Sequence, residues 1–429
     1  MTVHVFVGPS CPEPLVLKNY PEFSVHGPVK HGDLFSPEIS SGDVVVVVDG
    51  LYHHRLALRH KEILDALSRS TTVIGASSIG ALRAAELHPF GMIGVGRVYD
   101  WYRGGVFDGD DAVSVAHGET GPLAGINIPL VNLHSAILAA LGAGVLRRDE
   151  GQRLKARWEQ EYYPLRTSER VLLLADEVGA SAFADWYRER VRHAPDAFDQ
   201  KQADALEAFA LADRLHALPL AKRPDAGRTG QDWRTEFHRR WRNRFATAPG
   251  LQHRLAYQQI FNAGFPDVWW DYLDNSSSST LPGASDGFRG RVRQQLGSEA
   301  AQWLEEPEKR ARITALVCPL PDLADPREAD LLLRHETAQD RARAADWLEQ
   351  NRQHLNSHPG RSLSQIGGAV CAKLLARIWD LRPGDDLAAE CGRRGFPSLR
   401  QAANAIRPFA IGYLSHVQRT RQGGGFGHA

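Results

Sequence analysis

The run Asp43-Val44-Val45-Val46-Val47-Val48 constrains the fold more than any other stretch of the chain. Five consecutive valines leave no polar face, so a strand built from them needs apolar cover on both sides, as the central strand of a parallel sheet has. Asp49-Gly50 follows at once and sets a carboxylate at the carboxyl edge of that sheet. Residues 3–7 form a second short apolar run that feeds Gly8-Pro9-Ser10-Cys11-Pro12, a Gly/Pro turn of the kind that closes the first strand of an α/β fold. Residues 60–67, with Lys61-Glu62-Ile63-Leu64, carry an amphipathic helical pattern. Strand, helix, strand, helix in this order predicts parallel strands with right-handed crossovers. The expected fold of residues 1–217 is therefore α/β, a Rossmann-like parallel sheet flanked by helices.

Within residues 71–87, TTVIGASSIGALRAAEL, the period changes. Thr71, Thr72, Val73 and Ile74 suit a buried strand beside the valine run, whereas Ile79, Leu82, Ala85 and Glu86 have helical spacing. Ser78 therefore falls in a strand-to-helix turn among Gly75, Ala76, Ser77 and Gly80. The pattern is that of a nucleophile elbow, with Ala76 standing where the usual G-x-S-x-G has its first glycine. Such a turn lifts a hydroxyl to the carboxyl edge and aims the first N–H groups of a helix at whatever binds there. Spacing alone leaves a second reading open, a close-packed junction with a serine cap. Ligands of such sheets bind at the strand carboxyl ends, where Ser10, Asp49 and Ser78 are expected to converge.

Residues 89–102, with Gly91, Gly94 and Gly96 ahead of Tyr99, Trp101 and Tyr102, read as loop and short strand. No dinucleotide-binding G-x-G-x-x-G precedes a helix there, and no phosphate-binding G-x-x-x-x-G-K-[ST] occurs. Asp108, Asp110 and Asp111 read as carboxylates at a helix N-terminus rather than as a metal site, because the further ligands of a calcium loop are missing. His117 lies close in sequence to both the acidic pair and the turn, and is either a base or a hydrogen-bonded surface residue. Helical patterns follow at 131–146, 147–174 and 199–215. The prolines, glycines and charges of 218–232 read as a linker, 233–422 as a mainly helical second domain, and the glycine-rich 423–429 as a disordered tail. Residues 233–245, WRTEFHRRWRNRF, suit either an acidic partner or an amphipathic helix with its tryptophans packed inward. The serine run 276–279 reads as a flexible loop.

Lysine plus arginine and aspartate plus glutamate both number 51, so the formal charge is zero and no global field favours nucleic acid or an anionic membrane. No stretch approaches the ~20 apolar residues that span a bilayer. MTVHVFVGPS enters a strand with no basic region or cleavage site, so the protein is expected to be cytoplasmic. Cys11, Cys318, Cys371 and Cys391 are scattered and suggest neither a disulfide framework nor a zinc site. No metal or cofactor is expected.

Several separated motifs of residues 1 to about 215 resemble the TfuA-like family, in order and well spread. They are Gly8-Pro9-Ser10, Gly32-Asp33, Asp49-Gly50, Lys61-Glu62-Ile63-Leu64, the run from Gly75 through Ser78 and Arg83 to Leu87, Gly91-Met92 with Gly94 and Gly96, Asp110-Asp111, His117, and Lys201-Gln202-Ala203-Asp204-Ala205. The chain departs by having Ile79 where methionine is usual, Ser77 where alanine is usual, and Cys11 in the first loop. Residues after about 220 lie outside the resemblance. The resemblance implies a role beside a YcaO-type enzyme in backbone thioamidation of ribosomal peptides. There a TfuA-like partner supplies sulfur, plausibly by cleaving the thiocarboxylate of a ubiquitin-like sulfur carrier protein. A precursor peptide is a further expected partner.

Two functions follow from these residues. In the first, a serine-type hydrolase, Ser78 attacks, His117 takes its proton, and Asp110 or Asp111 orients the imidazole. The N–H of Ile79 and one from the Gly8-Pro9-Ser10 turn receive the oxyanion, and Lys61 is a substitute base. Cys11, Asp49, Gly50 and Arg83 line the same expected site. In the second, the protein is a non-catalytic adaptor that docks the enzyme, the carrier or the peptide, with the basic aromatic segment as its docking surface.

Overall fold

The computed structural model describes residues 1–51, 56–116, 127–222, 233–247, 250–275 and 287–423. The chain divides into two compact units, residues 1–231 and 232–429.

The first unit is built on five parallel strands: β1 (Val3–Phe6), β2 (Ser24–His26), β3 (Val44–Val47), β4 (Thr72–Ala76) and β5 (Ile93–Val95). Their order is β2-β1-β3-β4-β5, so the valine run is the middle strand and 72–76 lies beside it. All four valines of β3 are 0% exposed, which is the two-sided burial that their lack of a polar face demands. Strand order reverses between β1 and β3, and the crevice beyond their carboxyl ends is where open α/β sheets bind ligands.

On one face, Val3, Val5, Val7, Val44, Val46, Val48, Ile74 and Ala76 form one core with Ala205, Ala208, Phe209 and Ala212. Those four residues belong to α9 (Gln200–His216), which lies across β1, β3, β4 and β5. Its alanines let the helix approach the sheet closely. Before it come α1 (Glu13–Asn19), α2 (His60–Ser68), α3 (Ile79–Leu87), α4 (Gly96–Arg103), α5 (Leu130–Gly142), α6 (Arg148–Glu159), α7 (Ser168–Glu177) and α8 (Ser181–His193). Both α2 and α3 pack on β4, and Val45, Val47 and Val73, which point away from α9's core, are equally buried.

Two elements depart from the reading of the sequence. Residues 96–103 are helix rather than loop. The glycines ahead of them serve close approach: a Cβ on Gly94 would lie 2.1 Å from the Tyr99 ring, and one on Gly96 (φ +90°) would lie 2.2 Å from the Asp204 carboxylate. That carboxylate accepts the Val98 N–H at 2.7 Å and so caps α4 from 106 residues away. The last helix of the chain, Ala410–Gly423, reaches into the segment that reads as tail.

The second unit is largely helical and has two apolar cores, one around Trp269, Tyr272 and Phe288 and one around Trp347, Leu375 and Phe409. Its first helix, α10 (Glu236–Phe245), is the basic aromatic segment. Arg239 donates to Leu320 O at 2.7 Å, Arg242 meets Asp322 at 3.1 Å, and Asn243 bonds Pro321 O and the Leu323 N–H. Much of the helix's polar side is thus engaged in holding the 320–323 loop. The serine run 276–279 lies outside the described residues. Among the described residues, no helix is long and apolar enough to cross a membrane.

Candidate functional site

The junction between β4 and α3 is forced to be tight by contacts of the backbone itself. A Cβ on Gly75 would lie 2.1 Å from Gly80 O, and one on Gly80 would lie 1.8 Å from Val47 O. With the first turn of α3 pressed onto two strands, the chain reverses within Ser77-Ser78. Ser78 N donates to Ala76 O at 2.8 Å, closing a three-residue turn about Ser77, whose φ is +69°. A γ-turn of this hand is rare and strained, and such backbone costs of order 1–3 kcal/mol persist where packing over-determines them. The Ser77 hydroxyl is fully enclosed and has no hydrogen-bond partner among the described residues.

Ser78, one residue on, is the N-cap of α3 through its carbonyl, which accepts from Ala81 N at 3.0 Å; its side chain makes no cap hydrogen bond. The serine-cap reading therefore does not describe its hydroxyl. Ile79 opens the helix, and its N–H has no acceptor four residues back within α3. The positive φ belongs to Ser77, two residues after Gly75, whereas the sequence pattern anchored on Gly80 points to Ser78, itself at φ −119° and ψ −125°.

At the switch point, the first turn and the end of β3 meet as expected. Asp49 accepts the Ser10 N–H at 2.9 Å and the Ser10 hydroxyl at 2.6 Å, with both residues 3% exposed. Gly8 permits this approach, since a Cβ there would lie 2.7 Å from Pro28 and 3.4 Å from Asp49 Cβ; Pro9 is half-buried between them. Gly50 bridges to Val29 and packs under Ile79, whose Cγ2 would lie 2.9 Å from a Cβ at 50. Cys11 is buried beside the pair, and burial, then the charges of Asp49 and Asp199, push its thiol up to about 12.

The site also holds a residue that sequence reasoning did not place there. Lys201, in the first turn of α9, is 2% exposed. It donates to Val113 O at 2.8 Å and lies 4.0 Å from Asp49 Oδ1. Burial lowers its pKa from the ordinary lysine value, against the opposing pull of Asp49 and Asp199. A signal for it was present: 201, 205, 208 and 212 fall on one helical face, so a lysine occupies the buried stripe of alanines.

Other candidates belong to separate constellations. Asp111 gives its carboxylate to Arg166, at 2.6 Å, and Arg166 is 1% exposed and also donates to Asp111 O, Trp158 O and Glu161 O. Asp110 opens a short 3-10 turn, where its carbonyl accepts the Ser114 hydroxyl. Arg83 binds Glu86 at 2.6 Å, and Glu86 also meets His60 at 2.8 Å. Burial raises the Glu86 pKa, but hydrogen bonds from His60 and Arg83 outweigh it and hold the carboxyl below its usual value. Lys61 is half-buried in the first turn of α2. His117 lies outside the described residues. Among the described residues, no group of three or more His, Cys, Asp or Glu is arranged to hold a metal ion.

Residues 49–167 match the family model described as TfuA-like protein. No curated protein matches the chain. The matched stretch runs from Asp49 at the switch point through the Ser77-Ser78 turn to Thr167, and over these residues the chain is similar to the family that its motifs resemble.

Proposed function

We propose that the protein is an accessory sulfur-delivery protein for YcaO-dependent backbone thioamidation of ribosomal peptides. On this reading it hydrolyses the thiocarboxylated C-terminus of a ubiquitin-like carrier and releases sulfide, with a serine of the β4–α3 turn as nucleophile. The TfuA-like match supports the association with a YcaO-type enzyme. The observation that carries the chemistry is the Ser77 turn: a positive-φ serine, at the carboxyl edge of the sheet, with an enclosed and unpartnered hydroxyl. Buried hydroxyls are normally bonded, so one without a partner among the described residues is a candidate for chemistry. Ser78, the nucleophile that the sequence suggests, is its neighbour, and the N–H of Ile79 opens the helix beside both.

The surroundings favour oxygen over sulfur as the attacking atom. With its pKa near 12, Cys11 carries almost no thiolate at neutral pH. His117 and Lys61 remain the candidate bases of the sequence reading. Asp110 and Asp111 remain the candidates to orient an imidazole, with Asp111 also bonded to Arg166.

The test is to incubate the full chain with a thiocarboxylated carrier and to follow sulfide and the carrier carboxylate by intact mass. Release by the parent and loss of several orders of magnitude in S77A or S78A supports the reading. Release by neither parent nor variant hands the function to the adaptor alternative.

A further inference from the structure

Gly27-Pro28 and Gly32-Asp33, which the serine turn leaves without a role, bracket a short segment that crosses the switch point. After β2, residues 27–31 leave the side of β1 and pass its carboxyl end to reach the extension of β3. Val29 bridges to Gly50 in parallel: its N–H donates to Asp49 O at 2.8 Å and its carbonyl accepts from Leu51 N at 3.0 Å. Pro28 sits on Gly8, where a Cβ would lie 2.7 Å from Pro28 Cγ. Val29, 0% exposed, lies over Gly50, where a Cβ would be 3.2 Å from Val29 Cγ1 and 2.9 Å from Ile79 Cγ2. The segment is thus a strap across the end of β1, next to the buried Ser10–Asp49 pair.

The two ends of the strap are held differently. At the far end the Glu62 carboxylate of α2, 0% exposed, meets His31 Nδ1 at 2.5 Å and accepts the Gly32 N–H at 2.6 Å, while His31 N donates to Leu56 O at 2.9 Å. Gly32 has φ +104°, a conformation that suits a glycine hinge. At the near end lies β2, a half-buried edge strand of three residues paired with β1. There His26 Nε2 is 3.0 Å from His4 Nδ1 and 3.2 Å from Ser24 Oγ, and its ring stacks on Phe6 at 4.8 Å between centroids. His4 is 4% exposed, and its Nε2 lies 3.5 Å from Asp43, whose carboxylate accepts the N–H groups of Thr2 and Ser40. Gly27, next in the chain, is exposed, and a Cβ there would meet nothing within 4 Å among the described residues.

We infer that residues 24–31 are a gate over the switch-point crevice, hinged at Gly32 and latched at the other end by the His4–His26 pair, so that acidification opens it. At 3.0 Å one of the two facing ring nitrogens carries the hydrogen and the other accepts it. The latch therefore holds with both rings neutral or with one of them charged. A second proton sets N–H against N–H and cation against cation. Burial, then the charge of His4, lowers the His26 pKa from 6.5, with Glu38 and Asp33 pulling it up and Lys30 pushing it down. The closed gate thus favours neutral His26: it is held above the ordinary histidine value of 6.5 and released as pH falls below it. A three-residue edge strand belongs to the low-stability end of a fold, so it opens while β1, β3 and β4 stay paired. The gate governs access to Asp49 and Gly50 whatever the crevice binds, and does not rest on the sulfur-release reading.

The experiment is hydrogen exchange of the full chain across about pH 5 to 8, the range in which histidine titrates, corrected for the intrinsic exchange rate. The reporters are the amides of Val7, Val29 and Leu51, which bond His26 O, Asp49 O and Val29 O, and the control is the β3–β4 ladder. Protection of the three reporters falls by up to about tenfold per pH unit below the histidine value, the slope of one proton taken up on opening, while the ladder keeps its protection. H26F keeps a ring on Phe6, carries no proton and loses that slope. Reporters that stay as protected as the ladder, or that fall only together with it, overturn the gate. H26F with the parent's slope overturns the latch. Where H26F does not fold, H4F takes its place: with the opposing ring gone the slope becomes shallower, and an unchanged slope overturns the latch.

Discussion

Ser77→Gly should make the protein more stable and chemically inert at once. The serine pays for a left-handed backbone, about 1–2 kcal/mol for a residue with a Cβ, and glycine removes that penalty. Glycine's greater freedom in the unfolded chain returns roughly 0.5–1 kcal/mol of the gain. The hydroxyl is enclosed and unpartnered, and an unsatisfied buried polar group costs about 1–3 kcal/mol, which the substitution also removes. The balance is a stabilisation of about 1–4 kcal/mol. For a unit of this size that raises the melting temperature by about 2–4 °C per kcal/mol. Calorimetry of the full chain reads the transition of the first unit, and the sulfide assay reads the chemistry. A variant that melts below the parent refutes the argument, because the hydroxyl must then have a partner or the backbone must not be strained. A variant that melts higher and still releases sulfide shows that the strain serves something other than attack by Ser77.

Two further substitutions probe the frame around the turn. Gly80→Ala places a Cβ 1.8 Å from Val47 O, a clash with backbone that no rotamer relieves, so it should cost about 3 kcal/mol or more in urea unfolding; a loss under 1 kcal/mol would mean that α3 does not rest on β3. Asp204→Asn tests the cap of α4. Burial, opposed by hydrogen bonds from Val98 and Gln200, raises the Asp204 pKa from 3.8 to about 6, so the neutral form is the one the fold favours. The parent's stability advantage from this group is therefore full below about pH 4, declines as pH rises to about 6, and is gone above it. Over that window the parent should lose about 3 kcal/mol relative to the asparagine variant, read as the pH dependence of their urea midpoints, and a constant difference would refute the shift.

The sheet was legible because its signal is local. Five valines without a polar face admit few neighbours, and the change of period after Ile74 marks the next strand and its helix without reference to anything distant. The convergence of Ser10 with Asp49 was legible for the same reason, since parallel strands bring their carboxyl ends together. What the sequence hid depends on partners far along the chain. The glycines before α4 look like loop until Asp204 is seen filling the space above Gly96. The arginines of α10 look like a docking surface until Leu320 and Asp322, about 80 positions away, are seen receiving them. The positive φ of Ser77 was hidden as well, because Ser78 keeps the spacing to Gly80, while Gly75 lets the backbone turn one residue earlier.

Folded proteins generally satisfy buried polar groups, and departures from that rule have a place and a cause. In the first unit the Ser77 hydroxyl is such a departure among the described residues, as are His4 Nε2, Arg83 Nε and His134 Nδ1. Of these, Ser77 alone also has a positive-φ backbone, and near it the buried Lys201 pairs with Asp49 at 4.0 Å. Other buried charge is well used: Arg166 makes four hydrogen bonds, and the Glu62 carboxylate accepts from His31, Gly32 and Arg59. If the edge of the sheet served only to close the fold, the same alanine stripe could carry methionine at 201 and the turn could carry glycine at 77 at a gain in stability. A strained serine with an unpartnered hydroxyl at the carboxyl edge of the sheet makes the paired stability and activity of Ser77→Gly the measurement on which the functional reading turns.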